Sequence, residues 1–126
     1  MYLNRRKVGE KYEEQAAGYL EKSGFVLLER NFRCRQGEID LVGLHAGCLV
    51  FVEVKYRKDI SSGMPEEAVG ERKQMKICQV SDYYRIMHKE TTDMQVRYDV
   101  VAVCRNNVSW YQNAFSYRRK SGGMSW

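Results

Sequence analysis

The segments Gly37-Glu38-Ile39-Asp40-Leu41-Val42 and Val50-Phe51-Val52-Glu53-Val54-Lys55 decide the fold of this 126-residue chain. They predict two β-strands, about Glu38 to Leu44 and Cys48 to Arg57, joined as a hairpin at His45-Ala46-Gly47. Strand side chains alternate between faces. We therefore expect Glu38 and Asp40 on one face of the first strand, opposite Ile39 and Leu41. Glu53, Lys55 and Arg57 are expected on one face of the second strand.

The register of this hairpin decides whether the charged faces coincide. A two-residue turn at Ala46-Gly47 would pair His45 with Cys48, and Asp40 would then lie opposite Glu53. Opposed side chains point to the same side, with their Cβ atoms ~5 Å apart. A slip of one residue would separate the two acids, although a bulge could restore their proximity.

Two neighbouring carboxylates on strands built for burial repel each other and need a cation. Mg²⁺ fits, because it takes hard oxygen ligands, often one or two carboxylates plus waters and substrate phosphates. Lys55, two residues after Glu53, could approach the same phosphate, and such a set suits phosphodiester hydrolysis. The alternative is an ordinary surface ion pair between Glu53 and Lys55. The apolar flanks and the acid on the partner strand favour the metal site.

The rest of the chain predicts an α/β fold with the order α-β-β-β-α-β-β, a mixed central sheet flanked by helices. We expect a single domain over 1–116 and a flexible basic tail over 117–126. The other predicted elements are a helix over Val8–Ser23, a strand over Phe25–Glu29, a basic loop over Asn31–Gly37, a helix over Glu66–Lys89, and strands over Val96–Arg105 and Val108–Gln112.

Two charged residues interrupt or border the apolar stripes of the predicted helices. Glu13 borders the stripe of the first helix, which contains Val8, Tyr12, Ala16, Tyr19 and Leu20. Lys73 lies within the stripe of the second helix, with Val69, Ile77, Val80, Tyr84 and Met87. Both could be solvated flank residues, since lysine in particular snorkels. If the second helix covers the sheet, Lys73 would point toward the charged face.

The net charge of +5 and the pI near 9.1 favour a polyanionic partner, nucleic acid or an anionic membrane surface. The longest apolar run, Cys48 to Val52, is too short to span a bilayer, and no apolar stretch follows the N-terminus to form a signal peptide. We therefore expect no membrane association and a cytoplasmic location. The four cysteines form no CxxC pair, so we expect reduced thiols and no zinc site.

Several motifs together resemble the YraN family of small bacterial proteins. The resemblance runs from about Val8 to Val103. It rests on the two hairpin segments, on Pro65-Glu66-Glu67-Ala68-Val69 with Lys73-Gln74, and on Arg97-Tyr98-Asp99-Val100-Val101. That family is similar to Holliday junction resolvases and other PD-(D/E)xK nucleases. The chain departs from the family at Tyr12, where glycine is usual, and at Ser62, where an aromatic residue is usual.

The resemblance implies a restriction-endonuclease-like fold with a divalent-metal site for Mg²⁺ or Mn²⁺. By position, Asp40 and Glu53 would be metal ligands and Lys55 the catalytic lysine, while Glu13 would match the acidic residue on the first helix of the resolvase-like branch. Lys73 and Gln74 would lie at the edge of the site. Related resolvases act as dimers, so a homodimer is expected by analogy.

The basic residues near the predicted site suggest a surface that follows phosphates with little sequence preference. We assign nucleic-acid binding to Arg33, Arg35, Arg57, Lys73 and Gln74. Tyr56-Arg57 could stack on bases, or pack as ordinary sheet aromatics. The leading hypothesis is a metal-dependent endonuclease acting on structured or branched DNA. The alternatives are a catalytically inactive nucleic-acid-binding module and an adaptor protein whose basic face meets an acidic partner.

Overall fold

The computed structural model describes residues 5–58 and 69–119, and over these ranges the element order is the predicted α-β-β-β-α-β-β. The bounds are α1 (Arg5–Lys22), β1 (Val26–Cys34), β2 (Gly37–His45), β3 (Cys48–Tyr56), α2 (Glu71–Met87), a 3₁₀ turn (Lys89–Thr91), β4 (Gln95–Cys104) and β5 (Asn107–Phe115). None of the helices in these ranges is long and apolar enough to cross a membrane. Residues 120–126, most of the predicted tail, lie outside the described ranges.

The strands form one mixed sheet in the order β1-β2-β3-β4-β5. Only β3 and β4 run parallel, with Val52 beside Asp99 and Glu53 beside Val100, and the remaining neighbours are antiparallel. A parallel pair needs a crossover connection, and α2 lies in the segment that joins β3 to β4. The α/β class predicted from the sequence is therefore confirmed.

The two helices cover opposite faces of the sheet. Ala16, Ala17 and Leu20 of α1 pack against a cluster that includes Val50, Val52, Val101 and Val103. On the other face, α2 packs against a larger aromatic cluster, which includes Ile77, Val80, Tyr84, Phe51 and Tyr98. The middle strands are apolar on both faces because both faces are covered.

The predicted helical stripes were only partly correct. On α1, Val8 and Tyr19 are exposed, and Ala17 is buried in their place. On α2, Met87 is exposed and Lys73 is half-exposed, while Gln74 is buried. The helix also begins at Glu71, later than predicted, because Gly70 is extended (φ −67°, ψ 165°) and Val69 is buried ahead of the first turn.

The segment predicted as a basic loop, Asn31–Gly37, is mostly strand. β1 continues to Cys34 and turns through Arg35 and Gln36 into β2, with Cys34 paired to Gly37. The prediction stopped the strand too early because charged residues alternate with Phe32. In the structure Phe32 packs into the core, while Arg33 on the edge strand β1 and Arg35 in the following turn are exposed.

Candidate active site

The candidate site lies where β2 and β3 separate. The predicted register is confirmed from His45↔Cys48 to Leu41↔Val52. Beyond that pair the ladder stops, so Asp40–Glu53 and Glu38–Lys55 do not form as cross-strand pairs. Instead, the Val54 backbone N–H donates to Asp40 Oδ2 at 2.8 Å. The Asp40 side chain therefore substitutes for a backbone acceptor at the point of separation.

A backbone irregularity turns Asp40 into this gap. Asn31 on β1 has φ +53°, and the β1–β2 pairing passes from Arg30↔Leu41 to Phe32↔Ile39 without an Asn31–Asp40 pair. Ile39 packs in the α2-side cluster, whereas Leu41 packs in the α1-side cluster. The prediction that these two residues share a face was therefore wrong, because the left-handed residue on the neighbouring strand interrupts the regular alternation.

Three carboxyl groups meet around Asp40. Its side chain interacts with that of Glu53 and with that of Glu13 from α1, so Asp40 lies between acids contributed from the two sides of the sheet. Glu53 is only 7% exposed. The structure thus brings together the three acids that were predicted from the sequence, with Asp40 in the middle.

Burial and mutual repulsion make these acids reluctant to ionise. Burial, followed by the negative charge of Asp40, raises the pKa of Glu53 to about 7. The same two causes raise the pKa of Glu13 to about 7, opposed by a hydrogen bond with Asn31. Burial also raises the pKa of Asp40, although the Val54 N–H lowers it in part. When the three acids are ionised, the neighbouring groups neutralise only part of their negative charge.

The lysines next to this cluster come from α2 and from β3. Lys73 Nζ lies 3.4 Å from Glu53 Oε2, so Lys73 does point toward the charged face as predicted. Lys55 also lowers the pKa of Glu53 through its charge, although less than Lys73 does. Both lysines retain solvent access, Lys73 with a side chain that is 48% exposed. Both side chains are therefore partly accessible to solvent.

The predicted nucleic-acid-binding residues differ in what they contact. Arg33 donates from Nε to Glu38 Oε2 at 3.0 Å, and Arg35 is exposed. Arg57 follows β3 and is half-buried. Gln74 is buried, with its amide donating to the Val69 carbonyl and accepting from Arg118 Nε at 2.6 Å. A nucleic acid could reach the Gln74 amide only by displacing these partners.

Sequence reasoning missed two groups at the site. Asn31 shapes the path of β1 and contacts Glu13; its signal was an asparagine, the non-glycine residue that most often adopts positive φ. Tyr12 stacks on Tyr56 with 4.3 Å between ring centroids. That pair joins α1 to the end of β3, and nothing in the spacing of two residues so far apart in sequence indicated it.

The donor set suits a hard dication. Within residues 5–58 and 69–119, no three His, Cys, Asp or Glu side chains form a group that could hold a metal ion. Glu13 approaches Asp40 from the α1 side, away from Glu53. Asp40 and Glu53 are the candidate pair for an ion, since two carboxylates with waters and phosphate oxygens would match the usual Mg²⁺ environment.

The comparisons with known proteins show which family the chain belongs to. The model of the Uncharacterised protein family UPF0102 matches residues 12–103, about three quarters of the chain. The chain belongs to the UPF0102 family. This is the YraN family that the sequence motifs resembled. The matched region of the UPF0102 domain includes all the candidate site residues.

Curated UPF0102 relatives cover most of the chain. A UPF0102 protein of Lachnoclostridium phytofermentans is 41% identical over 113 residues, covering 90% of this chain and 96% of the relative. One from Caldanaerobacter subterraneus subsp. tengcongensis is 42% identical over 104 residues, covering 82% and 84%. One from Carboxydothermus hydrogenoformans is 38% identical over 119 residues, covering 91% and 100%. These relatives are therefore similar along nearly their whole lengths.

Proposed function

We propose that this UPF0102 protein is a divalent-metal-dependent nuclease of the restriction-endonuclease-like class, which hydrolyses phosphodiester bonds in structured or branched DNA. One observation carries the proposal: the buried Glu53 and the partly buried Asp40 interact where β2 and β3 separate, and both have raised pKa values. A fold whose stability falls when these acids ionise gains from a bound cation. The proposed restriction-endonuclease-like class rests on the family resemblance. The proposed metal-dependent hydrolysis is supported by the site geometry.

Asp40 and Glu53 would hold Mg²⁺ or Mn²⁺ together. The bound ion would polarise a phosphoryl oxygen and lower the pKa of a coordinated water. The Val54 N–H fixes the orientation of Asp40 by a bond to Oδ2. Lys73, 3.4 Å from Glu53 Oε2, offsets part of the negative charge of the pair.

The remaining polar residues have separable roles in this proposal. Lys55 would orient the attacking water or neutralise charge that builds up on the phosphate. Glu13, with its pKa near 7, is suited to accept the proton of that water. Lys73, half-exposed beside Glu53, would join Arg33, Arg35 and Arg57 in contacts to flanking phosphates. Gln74, bonded to Val69 and Arg118, would position α2 at the edge of the site.

Localisation and assembly belong to the same proposal. All four cysteines, Cys34, Cys48, Cys78 and Cys104, carry free thiols in the structure. Free thiols are usual in a reducing compartment, which supports a cytoplasmic protein. A homodimer is proposed by analogy with resolvases, and sedimentation at several protein concentrations would test it.

A second candidate, a nucleic-acid-binding module without turnover, is favoured by one contact. Lys73 already neutralises part of the Glu53 charge, which is what a protein that never binds a metal would need. In this alternative the basic residues bind the phosphate backbone and the acids only shape the fold. An adaptor whose basic face meets an acidic protein is the third candidate, and absent DNA binding at low salt would leave it standing.

The deciding experiment combines metal titration with cleavage. Isothermal titration of Mn²⁺ into wild type and Glu53→Gln tests the site, with the exposed Glu90→Gln as the matched control. Labelled branched, single-stranded and duplex DNA are then incubated with Mg²⁺, Mn²⁺ or EDTA. We expect metal-dependent cleavage that Asp40→Asn lowers by at least ~100-fold, while the exposed Asp93→Asn retains it.

The possible outcomes separate the three candidates. DNA binding without Mn²⁺ binding or cleavage would refute the nuclease and favour the inactive module. Cleavage that Asp40→Asn leaves intact would place the active site elsewhere. Heat released on Mn²⁺ addition to wild type but not to Glu53→Gln would support the proposed ligand pair before any substrate is known.

A further inference from the structure

The stacked rings of Tyr12 and Tyr56 are at the edge of the candidate site. Their centroids are 4.3 Å apart and their planes differ by 17°, and the Tyr12 hydroxyl interacts with Tyr56. Tyr56 is 45% exposed although one face of its ring covers Tyr12. Tyr56 therefore supplies the solvent-accessible part of a pre-assembled aromatic pair.

The position of the pair relates it to the proposed chemistry. Tyr12 directly precedes Glu13, and Tyr56 directly follows Lys55. Tyr56 lies two residues beyond Val54, whose N–H holds Asp40, and two strand residues span about 6.6 Å. Tyr56 lies on the α1 face of β3 and Glu53 faces α2, so a nucleotide whose phosphate lies at Asp40, between the two faces, would place its neighbouring base against the Tyr56 ring around the end of β3.

Core packing alone does not account for this arrangement. The preceding residues on the same face of β3, Val50 and Val52, are 0% and 1% exposed beneath α1. Tyr56 ends that row beyond the cluster of buried apolar residues, with Arg57 and Lys58 following it in the chain. An exposed aromatic face next to basic residues matches the chemistry that binds unpaired bases, in which stacking and phosphate contacts act together.

We infer that the Tyr12–Tyr56 pair is a stacking platform for an unpaired nucleobase beside the phosphodiester that is cut. The inference rests on the proposed function and names its substrate class: DNA with unpaired bases, such as a flap, fork or single strand, in preference to continuous duplex. A base inside a duplex already stacks on both neighbours and offers no free face, so duplex DNA cannot use the platform without unstacking.

The test measures binding of oligonucleotides in EDTA, where cleavage does not interfere. Fluorescence anisotropy compares a single strand, the same strand with abasic sites, and the matched duplex. Tyr56→Ala is expected to weaken single-strand binding about 5- to 100-fold and duplex binding by less than about 2-fold. Tyr56→Phe should restore affinity, and Tyr12→Ala should lose part of it, because the supporting ring is gone.

The matched control is Tyr111→Ala, which removes an exposed tyrosine from β5 instead of from the site. Thermal unfolding of each variant separates loss of binding from loss of structure. The platform is refuted if Tyr56→Ala weakens binding of all DNA forms equally. It is also refuted if Tyr56→Ala weakens binding of the strand with abasic sites by the same factor as binding of the normal single strand.

The platform and the nuclease can fail independently. A wild type that cleaves DNA while Tyr56→Ala keeps full single-strand affinity would retain the nuclease and refute the platform. A wild type that never cleaves, but binds unpaired bases through Tyr56, would support the platform and refute the nuclease. A wild type that binds no nucleic acid at low salt would overturn both.

Discussion

Two buried acids, Asp99 and Glu53, lie on neighbouring strands of the sheet, and their charges are compensated to very different extents. Asp99 on β4 is 0% exposed and accepts from Arg97 Nε and Nη2, from Trp110 Nε1 and from the Asn113 N–H, at 2.8–3.0 Å. Glu53 on β3 is 7% exposed and meets Asp40 on one side and Lys73, at 3.4 Å, on the other.

The difference indicates which acid group stabilises the fold and which is available for chemistry. Every oxygen of Asp99 is bonded to a donor of its own chain, and Arg97 also contacts His45 at 2.9 Å. That network links β2, β4 and β5, and a satisfied network of this kind favours one structure. Asp40 and Glu53 instead repel each other, so their burial costs free energy unless a proton or a cation is present.

The largest effect should come from breaking the satisfied network. Asp99→Ala leaves the nearly buried Arg97 guanidinium, the Trp110 N–H and the Asn113 N–H without their acceptor. We expect the free energy of unfolding to fall by about 3–5 kcal/mol in urea denaturation at neutral pH. Asp99→Asn, which keeps part of the network, should lose less, and equal stability of wild type and both variants would show that the network is not what holds β5.

Removing the charge of Glu53 should have the opposite effect on the free energy of unfolding, and this effect should depend on pH. The folded-state pKa of Glu53, about 7, exceeds the ordinary value of 4.5, so the folded protein binds this proton more tightly than the unfolded chain. Stability from this group is therefore full below about pH 4.5 and lost as pH rises to about 7. The loss is at most about 3 kcal/mol.

Glu53→Gln tests this sign directly in metal-free buffer. The variant should be more stable than wild type at pH 8 by up to about 3 kcal/mol and nearly equal to it at pH 5, since glutamine resembles the protonated acid. Urea denaturation at the two pH values measures the difference, with Glu90→Gln as the control. A Glu53→Gln variant that is less stable at pH 8 would contradict the interpretation of the site.

A divalent cation should remove the same penalty. If Mg²⁺ binds with a dissociation constant of about 1 mM, about 10 mM MgCl₂ raises the free energy of unfolding by about 1.4 kcal/mol at pH 8. The gain should shrink at pH 5, where protons compete, and should vanish in Asp40→Asn. NaCl at matched ionic strength is the control, and an equal gain from NaCl would indicate general screening.

The smallest effect on stability should come from the exposed ion pair of Arg33 and Glu38. Their side chains are 61% and 37% exposed, so Arg33→Ala should change the free energy of unfolding by less than about 0.5 kcal/mol. Arg33→Ala should have a clearer effect on DNA binding. The slope of log K against log salt concentration should become less steep by about one, which corresponds to the loss of one phosphate contact. Lys22→Ala, at the end of α1, is the control and should leave that slope unchanged.

Much of the fold followed from local pattern in the sequence. The hairpin register was predicted from a two-residue turn at Ala46-Gly47, and the structure has this turn, with positive φ at both residues, +50° and +79°. A turn of known length then sets which residues face each other as far as Leu41↔Val52. The pairing failed to extend to Asp40 because Asn31, on another strand, breaks the alternation.

The candidate site was predictable in composition more than in geometry. Asp40, Glu53 and Glu13 do meet, as spacing and family resemblance indicated. Gln74 was assigned to nucleic acid, yet its amide contacts Val69 and Arg118, a residue 44 positions away in sequence. Side-chain partners at such separations depend on how α2 docks and how the chain after β5 returns, and no local pattern specifies either.

The sequence by itself determined the strand and helix order, the tight turn and the acidic residues, because these depend on neighbours a few positions apart. Only the tertiary structure decided that Asp40 enters the gap beside Val54, that Lys73 reaches Glu53, and that Tyr12 stacks on Tyr56. Each of these contacts joins separate elements. Each contact therefore contributes to stability only after the sheet and both helices have packed together.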